Sequence, residues 1–180
     1  MGTEEDGRAL LDAATRLRPD LILLDISMPL LNGVDAARQL KKLLPDVKLI
    51  FVTMHADPAY VSEAFKAGAS AYLLKRSAAR ELEQAIDSVL KGQYFVTSLL
   101  TKDLVTTLSA GQAGLFAQRQ ELTPRQREVL QLIAEGRTIK EIASLLNISP
   151  KTVEFHKAQI IFHLNLRTTA ELTKYALAHG

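Results

Sequence analysis

The first half of the chain alternates short apolar runs with longer stretches in which apolar residues recur at helical spacing. Three apolar runs predict buried strands, at 21–24, 47–53 and 71–74. Four amphipathic stretches predict helices, at 7–18, 33–44, 57–67 and 77–91. Strands that alternate with helices in this way are typical of a parallel sheet with helical crossovers, so this half is predicted to be an α/β unit.

The last part of the chain, 121–180, lacks a strand pattern and predicts an all-α unit. The spacing of its apolar residues indicates four helices, at 124–135, 139–146, 150–164 and 169–178. Thr123, Thr138 and Ser149 stand directly before three of them and are residue types that cap helix N-termini. Only three residues separate the second helix from the third, which predicts a helix-turn-helix unit.

The segment between the two halves, 93–120, has a mixed composition. A helix is possible over 99–108, and the stretch SAGQAG at 109–114 is typical of a linker. We therefore predict three parts, which are a sheet domain at 1–92, a linker at 93–120 and a helical domain at 121–180.

Composition and charge remove several classes of protein. The 180 residues include 22 basic and 20 acidic side chains, so the formal net charge is only +2, which excludes a strongly basic coat for nucleic acid. The chain has no Cys, which excludes disulfides and thiolate metal sites. No apolar run approaches the ~20 residues of a membrane span, and the polar start is unlike a secretory signal peptide. We expect a cytoplasmic protein with no membrane partner.

Three side chains with useful chemistry stand where the predicted strands end. Asp25 follows the first apolar run, Thr53 ends the second, and Lys75 follows the third. Because the carboxyl ends of parallel strands meet at one edge of a sheet, we expect these side chains to lie together. A carboxylate can attack phosphorus, and a hydroxyl and an ammonium group can contact the oxygens of the acyl phosphate that results. Taken singly, these residues are better explained as a helix cap, a strand former and a solvated lysine, and only their combination favours the phosphoryl chemistry.

The segments LLDISMPLLNG, FVTMHA and GASAYLLK resemble the receiver domains of bacterial two-component response regulators. The resemblance implies a flavodoxin-like (CheY-like) fold, a parallel sheet covered by helices. It implies that Asp25 is the phosphoacceptor, that Thr53 is the switch hydroxyl, and that Lys75 pairs with the phosphoryl group. It further implies that Tyr72 is the rotating aromatic residue and that the backbone carbonyl of Ser27 joins Asp25 on a Mg²⁺ ion.

The start of the chain departs from this family pattern. Receivers begin with a strand that ends in two acidic residues, and a helix and a second strand follow it. This sequence starts after those three elements, just before the helix that comes next in the family. We therefore expect an incomplete receiver, in which residues 21–24 form an exposed edge strand that is unstable or recruits another chain. Because Mg²⁺ needs several oxygen ligands, a site made of Asp25 and the Ser27 carbonyl is expected to be incomplete.

The segment LTPRQREVLQLIAEGRTIKEIASLLNISPKTVEFHKAQIIFHLNL resembles the helix-turn-helix domain of LuxR/NarL-type regulators. In such units the second helix of the pair lies in the major groove of DNA. The resemblance implies a DNA-facing set made of Thr138, Lys140, Ser149, Lys151, Thr152, Val153, His156 and Lys157. For Val153 two interpretations stay open, contact with a thymine methyl group or packing in the core. The helix at 169–178 resembles the family's dimerisation helix, and the alternative is a helix that only covers the core.

Together the two resemblances predict a NarL/FixJ-type response regulator that binds double-stranded DNA and controls transcription. The expected partners are a sensor histidine kinase and a second copy or a related regulator. The alternative is an interaction protein that pairs with a complete regulator through the incomplete receiver. A phosphohydrolase is disfavoured because Ser27 stands where such enzymes have a second Asp, and an oxidoreductase because no GxGxxG motif is present.

Overall fold

A computed structural model describes residues 2–101 and 122–179 of the chain. The chain divides into two compact units, Met1–Gln118 and Arg119–Gly180. Among the residues described, no helix combines the length and apolar character that crossing a membrane requires.

The first unit contains a parallel sheet with helices in its crossovers. Its elements are α1 (Gly7–Leu17), β1 (Leu21–Leu24), α2 (Gly33–Leu43), β2 (Lys48–Thr53), α3 (Pro58–Lys66), β3 (Ala71–Leu74), α4 (Lys75–Leu90) and β4 (Phe95–Val96). Within residues 2–101 the four strands lie in the order β1-β2-β3-β4, and every neighbouring pair is parallel. The predicted α/β class is confirmed.

The two faces of the sheet bury different side chains because alternate residues of a strand point to opposite sides. Leu24, Phe51 and Tyr72 belong to one core cluster, which also takes in residues of α1, α2 and α3. Ile50 and Leu73 belong to a second cluster, formed with residues of α4. The first apolar run was expected to be covered on both faces, but Leu23 in β1 is 45% exposed. Among the described strands β1 pairs with β2 alone, as expected of an edge strand.

The structure differs from the prediction at 93–101. Phe95 and Val96 form β4, with Phe95 paired to Ala71, where a linker was predicted. Thr97 and Leu100 are 0% and 1% exposed, so this stretch belongs to the first unit. The sequence signal failed here because a two-residue strand is too short to show a period. The remainder of the predicted linker, including the stretch at 109–114, lies outside the described residues.

The second unit is helical in all its described elements. These are α5 (Pro124–Ala134), α6 (Ile139–Leu146), α7 (Pro150–His163) and α8 (Thr169–His179). Thr123 and Thr138 each close a capping box, and Ser149 caps α7, as predicted. Six apolar side chains with no exposed surface form the centre of the unit: Val129, Leu132, Ile142, Val153, Ile160 and Leu172.

The turn between α6 and α7 depends on a left-handed residue. Asn147 has φ 52° and ends α6, and its amide donates to the carbonyls of the preceding turn. Asn tolerates this conformation better than most residues. Asn165 also has φ 52°, just beyond the end of α7.

Candidate phosphoacceptor site and candidate nucleic-acid interface

Asp25 lies directly after β1, at the start of a loop that is held tightly to α2. The amide of Gly33 donates to the Ile26 carbonyl at 2.8 Å. A Cβ atom on Gly33 would lie 1.9 Å from the carbonyl oxygen of Asp25, so only glycine allows this close approach. The loop that follows the carboxylate is therefore fixed in place by backbone contacts.

The structure brings together the strand-end residues predicted from the sequence. Lys75 Nζ lies 2.6 Å from Asp25 Oδ2 in a partly exposed ion pair. The amide of Ser27 donates to Asp25 Oδ1 at 3.3 Å. Burial alone would raise the pKa of Asp25, but hydrogen bonds from Lys75 and Thr53 outweigh it and lower the pKa below 3.8. Asp25 is thus ionised at neutral pH, as a carboxylate nucleophile must be.

His55, which the sequence analysis did not select, links the loops around this carboxylate. Its Nε2 lies 2.8 Å from the Ser27 hydroxyl, and its ring packs against that of Tyr60 at a centroid distance of 4.4 Å. Its carbonyl accepts a hydrogen bond from the Tyr72 hydroxyl at 2.9 Å. His55 lies in a loop without periodicity, so no sequence pattern marked it.

Tyr72 is fully buried, with its ring in the core beside Phe51. Burial strongly raises the pKa of its phenol, which keeps the hydroxyl protonated as the donor to His55. The aromatic residue therefore reaches the loop after Thr53 through its hydroxyl. The rotation of the Tyr72 side chain, which the family resemblance implies, remains an expectation.

Receiver domains generally use Mg²⁺, and the described residues offer it a poor ligand set. They contain no group of three or more His, Cys, Asp or Glu side chains that could hold a metal ion. One oxygen of Asp25 faces Lys75 and the other faces the amide of Ser27. Mg²⁺ prefers an octahedral shell of oxygen ligands, and one carboxylate with one carbonyl leaves most of that shell to water. The expected site is therefore incomplete among these residues, and no chemical step is assigned to the ion.

The second candidate site is the helix pair α6–α7. Thr138 and Ser149 cap the two N-termini and are exposed, and Lys140 and Lys151 are exposed nearby in the sequence. The hydroxyls of Ser149 and Thr152 lie 2.8 Å apart. Helix N-termini and lysines are both suited to phosphate groups, so this arrangement fits the polar part of a DNA interface.

Burial decides between the two interpretations of Val153 in the predicted DNA-facing set. Val153 has no exposed surface and packs in the core, so its methyl groups cannot reach a base edge. His156 and Lys157 are only partly exposed, because they flank Val153 on the inner side of α7. With 100° per residue, Phe155 lies about 200° from Val153 and faces outward. Phe155 is 60% exposed, and Ala158 is exposed on the same face, although neither was selected from the sequence.

Two family models match the chain. Residues 1–87 match the response regulator receiver domain, and residues 120–176 match the bacterial regulatory proteins of the luxR family. The first match lies within the first structural unit and the second match lies within the second unit. The matches include the phosphoacceptor candidate Asp25 in the first segment and the helix pair α6–α7 in the second.

Several relatives align over nearly the whole chain. The transcriptional regulatory protein MctR of Rhizobium johnstonii is 34% identical over 99% of this chain and 81% of its own length. The oxygen regulatory protein NreC of Staphylococcus epidermidis is 36% identical over 98% of this chain and 84% of its own.

Solved structures of the response regulator RcsB are also similar. RcsB of Salmonella typhimurium superposes with a TM-score of 0.61 at 27% identity, over 97% of this chain and 81% of that one. A structure of RcsB dimers bound to DNA superposes with a TM-score of 0.55 at 28% identity, over 98% of this chain and 83% of that one. On the evidence of its two family matches and its full-length relatives, the chain belongs to the two-component response regulators that combine a receiver domain with a LuxR-type DNA-binding domain.

Proposed function

We propose that this protein controls transcription by binding double-stranded DNA, with Asp25 accepting a phosphoryl group from a sensor histidine kinase. The observation that supports the first step best is the 2.6 Å contact between Lys75 Nζ and Asp25 Oδ2, with the Thr53 hydroxyl hydrogen-bonded to the same carboxylate. The group that neutralises Asp25 is therefore positioned to neutralise an acyl phosphate on it.

The chemistry at this site follows from its charges. The carboxylate of Asp25 attacks phosphorus, the bond between phosphorus and the donor's imidazole nitrogen breaks, and the imidazole leaves with its electron pair. The negative charge at the site increases, and Lys75 and the Thr53 hydroxyl stabilise it through charge-assisted hydrogen bonds. The His55 side chain contacts the Ser27 hydroxyl beside these groups, and this contact limits how the loop after Asp25 can move.

DNA binding is assigned to the helix pair of the second unit. The N-terminal part of α7 would enter the major groove while α6 supports it across the backbone. Lys140 and Lys151 would contact phosphates, and the capped N-termini at Thr138 and Ser149 would add backbone donors. We infer that 121–180 is the DNA-binding domain, and that the protein acts in the cytoplasm as a dimer in which α8 pairs two copies.

The experiment that tests DNA binding measures the affinity of the full chain for a pool of random duplexes between about 50 and 200 mM salt. Affinity should fall with salt, and Lys151→Ala should make the log–log slope shallower by about one unit because one phosphate contact is lost. Lys91→Ala, at an exposed lysine directly after α4 in the first unit, is the matched control and should keep the wild-type slope. Binding that does not depend on salt, or a Lys151 variant identical to the wild type, would contradict the proposal.

A second candidate function is pairing with a related regulator through β1. The observation that favours it is Leu23, which is 45% exposed on a strand that has one described neighbour. Native mass spectrometry of this chain mixed with a full-length relative should then show a heteromer that Leu23→Lys removes. If only the separate species appear, this candidate is rejected.

A further inference from the structure

We propose that Phe155 and Ala158 form an apolar surface on α7 that reads thymine methyl groups in the major groove. The protein would accordingly select DNA sites with T at one or two adjacent positions under this surface. This inference rests on the proposed DNA-binding function and specifies what the recognition helix reads.

The outward face of α7 is defined by helical spacing and by burial. Lys151, Phe155, Ala158 and Phe162 follow one another at intervals of four, three and four residues, which places them on one side of the helix. All four are exposed, and Phe155 keeps 60% of its surface accessible. Val153 on the opposite side has no exposed surface, which fixes the rotation of α7 about its axis.

The ring of Phe155 is supported in its exposed position. It meets the imidazole of His156 edge-on, with centroids 5.9 Å apart and an angle of 63° between the planes. His156 is itself partly buried, so it provides a supported neighbour for the ring. A large side chain that is already restrained loses little conformational entropy when a partner covers it.

The chemistry of base edges selects the partner of such a surface. In the major groove, thymine presents a methyl group, whereas guanine, adenine and cytosine present polar donors and acceptors. Apolar contact by Phe or Ala is favourable with the thymine methyl, and covering an unpaired polar atom is unfavourable. Lys151, one turn earlier, supplies the positive charge that brings the same face to the DNA backbone.

The spacing of the two residues matches the spacing of base pairs. Phe155 and Ala158 are three residues apart, which is about 4.5 Å along the axis of α7. Base pairs on one strand are about 3.4 Å apart. The two side chains can therefore reach adjacent bases. Phe162 is about 10 Å from Phe155 along the axis, toward the end of α7 that faces away from the bases in this type of docking.

The test begins with duplexes selected from a random pool by the full chain. Each selected thymine is then replaced with deoxyuridine, which removes only the methyl group. For the wild type, replacement at the position under Phe155 should weaken binding about fourfold, the change expected for one buried methyl group. Phe155→Ala should bind the thymine and uracil duplexes equally, whereas Phe162→Ala, the matched exposed phenylalanine, should keep the fourfold difference.

The outcomes separate this inference from the function on which it rests. If no duplex is selected, DNA binding itself fails and this inference fails with it. If duplexes are selected but uracil replacement changes nothing, or if Phe155→Ala keeps the discrimination, DNA binding stands and the methyl contact is rejected. Phe155→Leu keeps an apolar side chain and should retain part of the difference, which guards against a folding defect in the alanine variant. A change in oligomeric state in Phe155→Ala with unaltered uracil sensitivity would instead assign this surface to a protein contact.

Discussion

Replacing Gly33 with alanine should damage both the stability of the first unit and the geometry of Asp25. The new Cβ atom would lie 1.9 Å from the Asp25 carbonyl oxygen, about 1.1 Å less than the 3.0 Å below which real contacts essentially never occur. Because the clashing atom belongs to the backbone of a loop fixed by the Gly33–Ile26 hydrogen bond, it cannot rotate away. Overpacking of this kind costs about 3 kcal/mol, and the better helix propensity of alanine offsets ~1 kcal/mol.

The net loss of about 2 kcal/mol should lower the melting temperature of this unit by roughly 8–16 °C. Thermal unfolding followed by circular dichroism measures it, and labelling of Asp25 with a small phosphodonor measures the functional effect. Gly2→Ala is the control, because its Cβ would meet only the flexible end of Leu17 at 3.2 Å. If Gly33→Ala melts within about 2 °C of the wild type and labels normally, the argument that the glycine positions Asp25 is refuted.

Three further changes have defined outcomes. Val153→Ala should cost about 2 kcal/mol of unfolding free energy in the second unit, measured by urea denaturation, because Val153 is buried. An unchanged free energy of unfolding would contradict the burial of Val153 in the core. Although burial raises the pKa of Glu81, hydrogen bonds from Ser98 and Thr97 lower it below 4.5, so its contribution to stability is present above that pH and lost on acidification. Glu81→Gln should therefore lose less stability than the wild type between about pH 5 and pH 3 in acid melts, with Glu83→Gln behaving as the wild type. Tyr72→Phe should cost about 1 kcal/mol of unfolding free energy, because the hydrogen bond to the His55 carbonyl is removed; an unchanged melt would argue against that bond.

The sheet and its phosphoacceptor candidates could be predicted because both depend on local pattern. Apolar runs at 21–24 and 71–74 are β1 and β3, and the residues that follow them meet at one edge by the geometry of parallel strands. The strand at Phe95–Val96 could not be predicted, since it exists only through pairing with β3. His55 was missed for the same reason, because its contacts are set by how two loops approach each other.

The face of α7 shows a different limit of sequence reasoning. Charged and polar residues were expected to face DNA, which selected His156 and Lys157 and left out Phe155. The rotation of the helix is set by packing of Val153 and Ile160, both without exposed surface, and this packing turns Phe155 outward. Residue type alone cannot supply that rotation when one face of a helix mixes apolar and charged residues.

The most direct test of the account is phosphorylation of the full chain by a small phosphodonor, acetyl phosphate, with and without added Mg²⁺. Intact mass and peptide mapping would locate the added group. The account predicts one phosphoryl group per chain, on Asp25, in an acyl linkage that hydroxylamine removes and that Asp25→Asn abolishes. Absence of label on the folded wild-type chain, or label that persists in Asp25→Asn, would contradict the assignment of Asp25 as the phosphoacceptor.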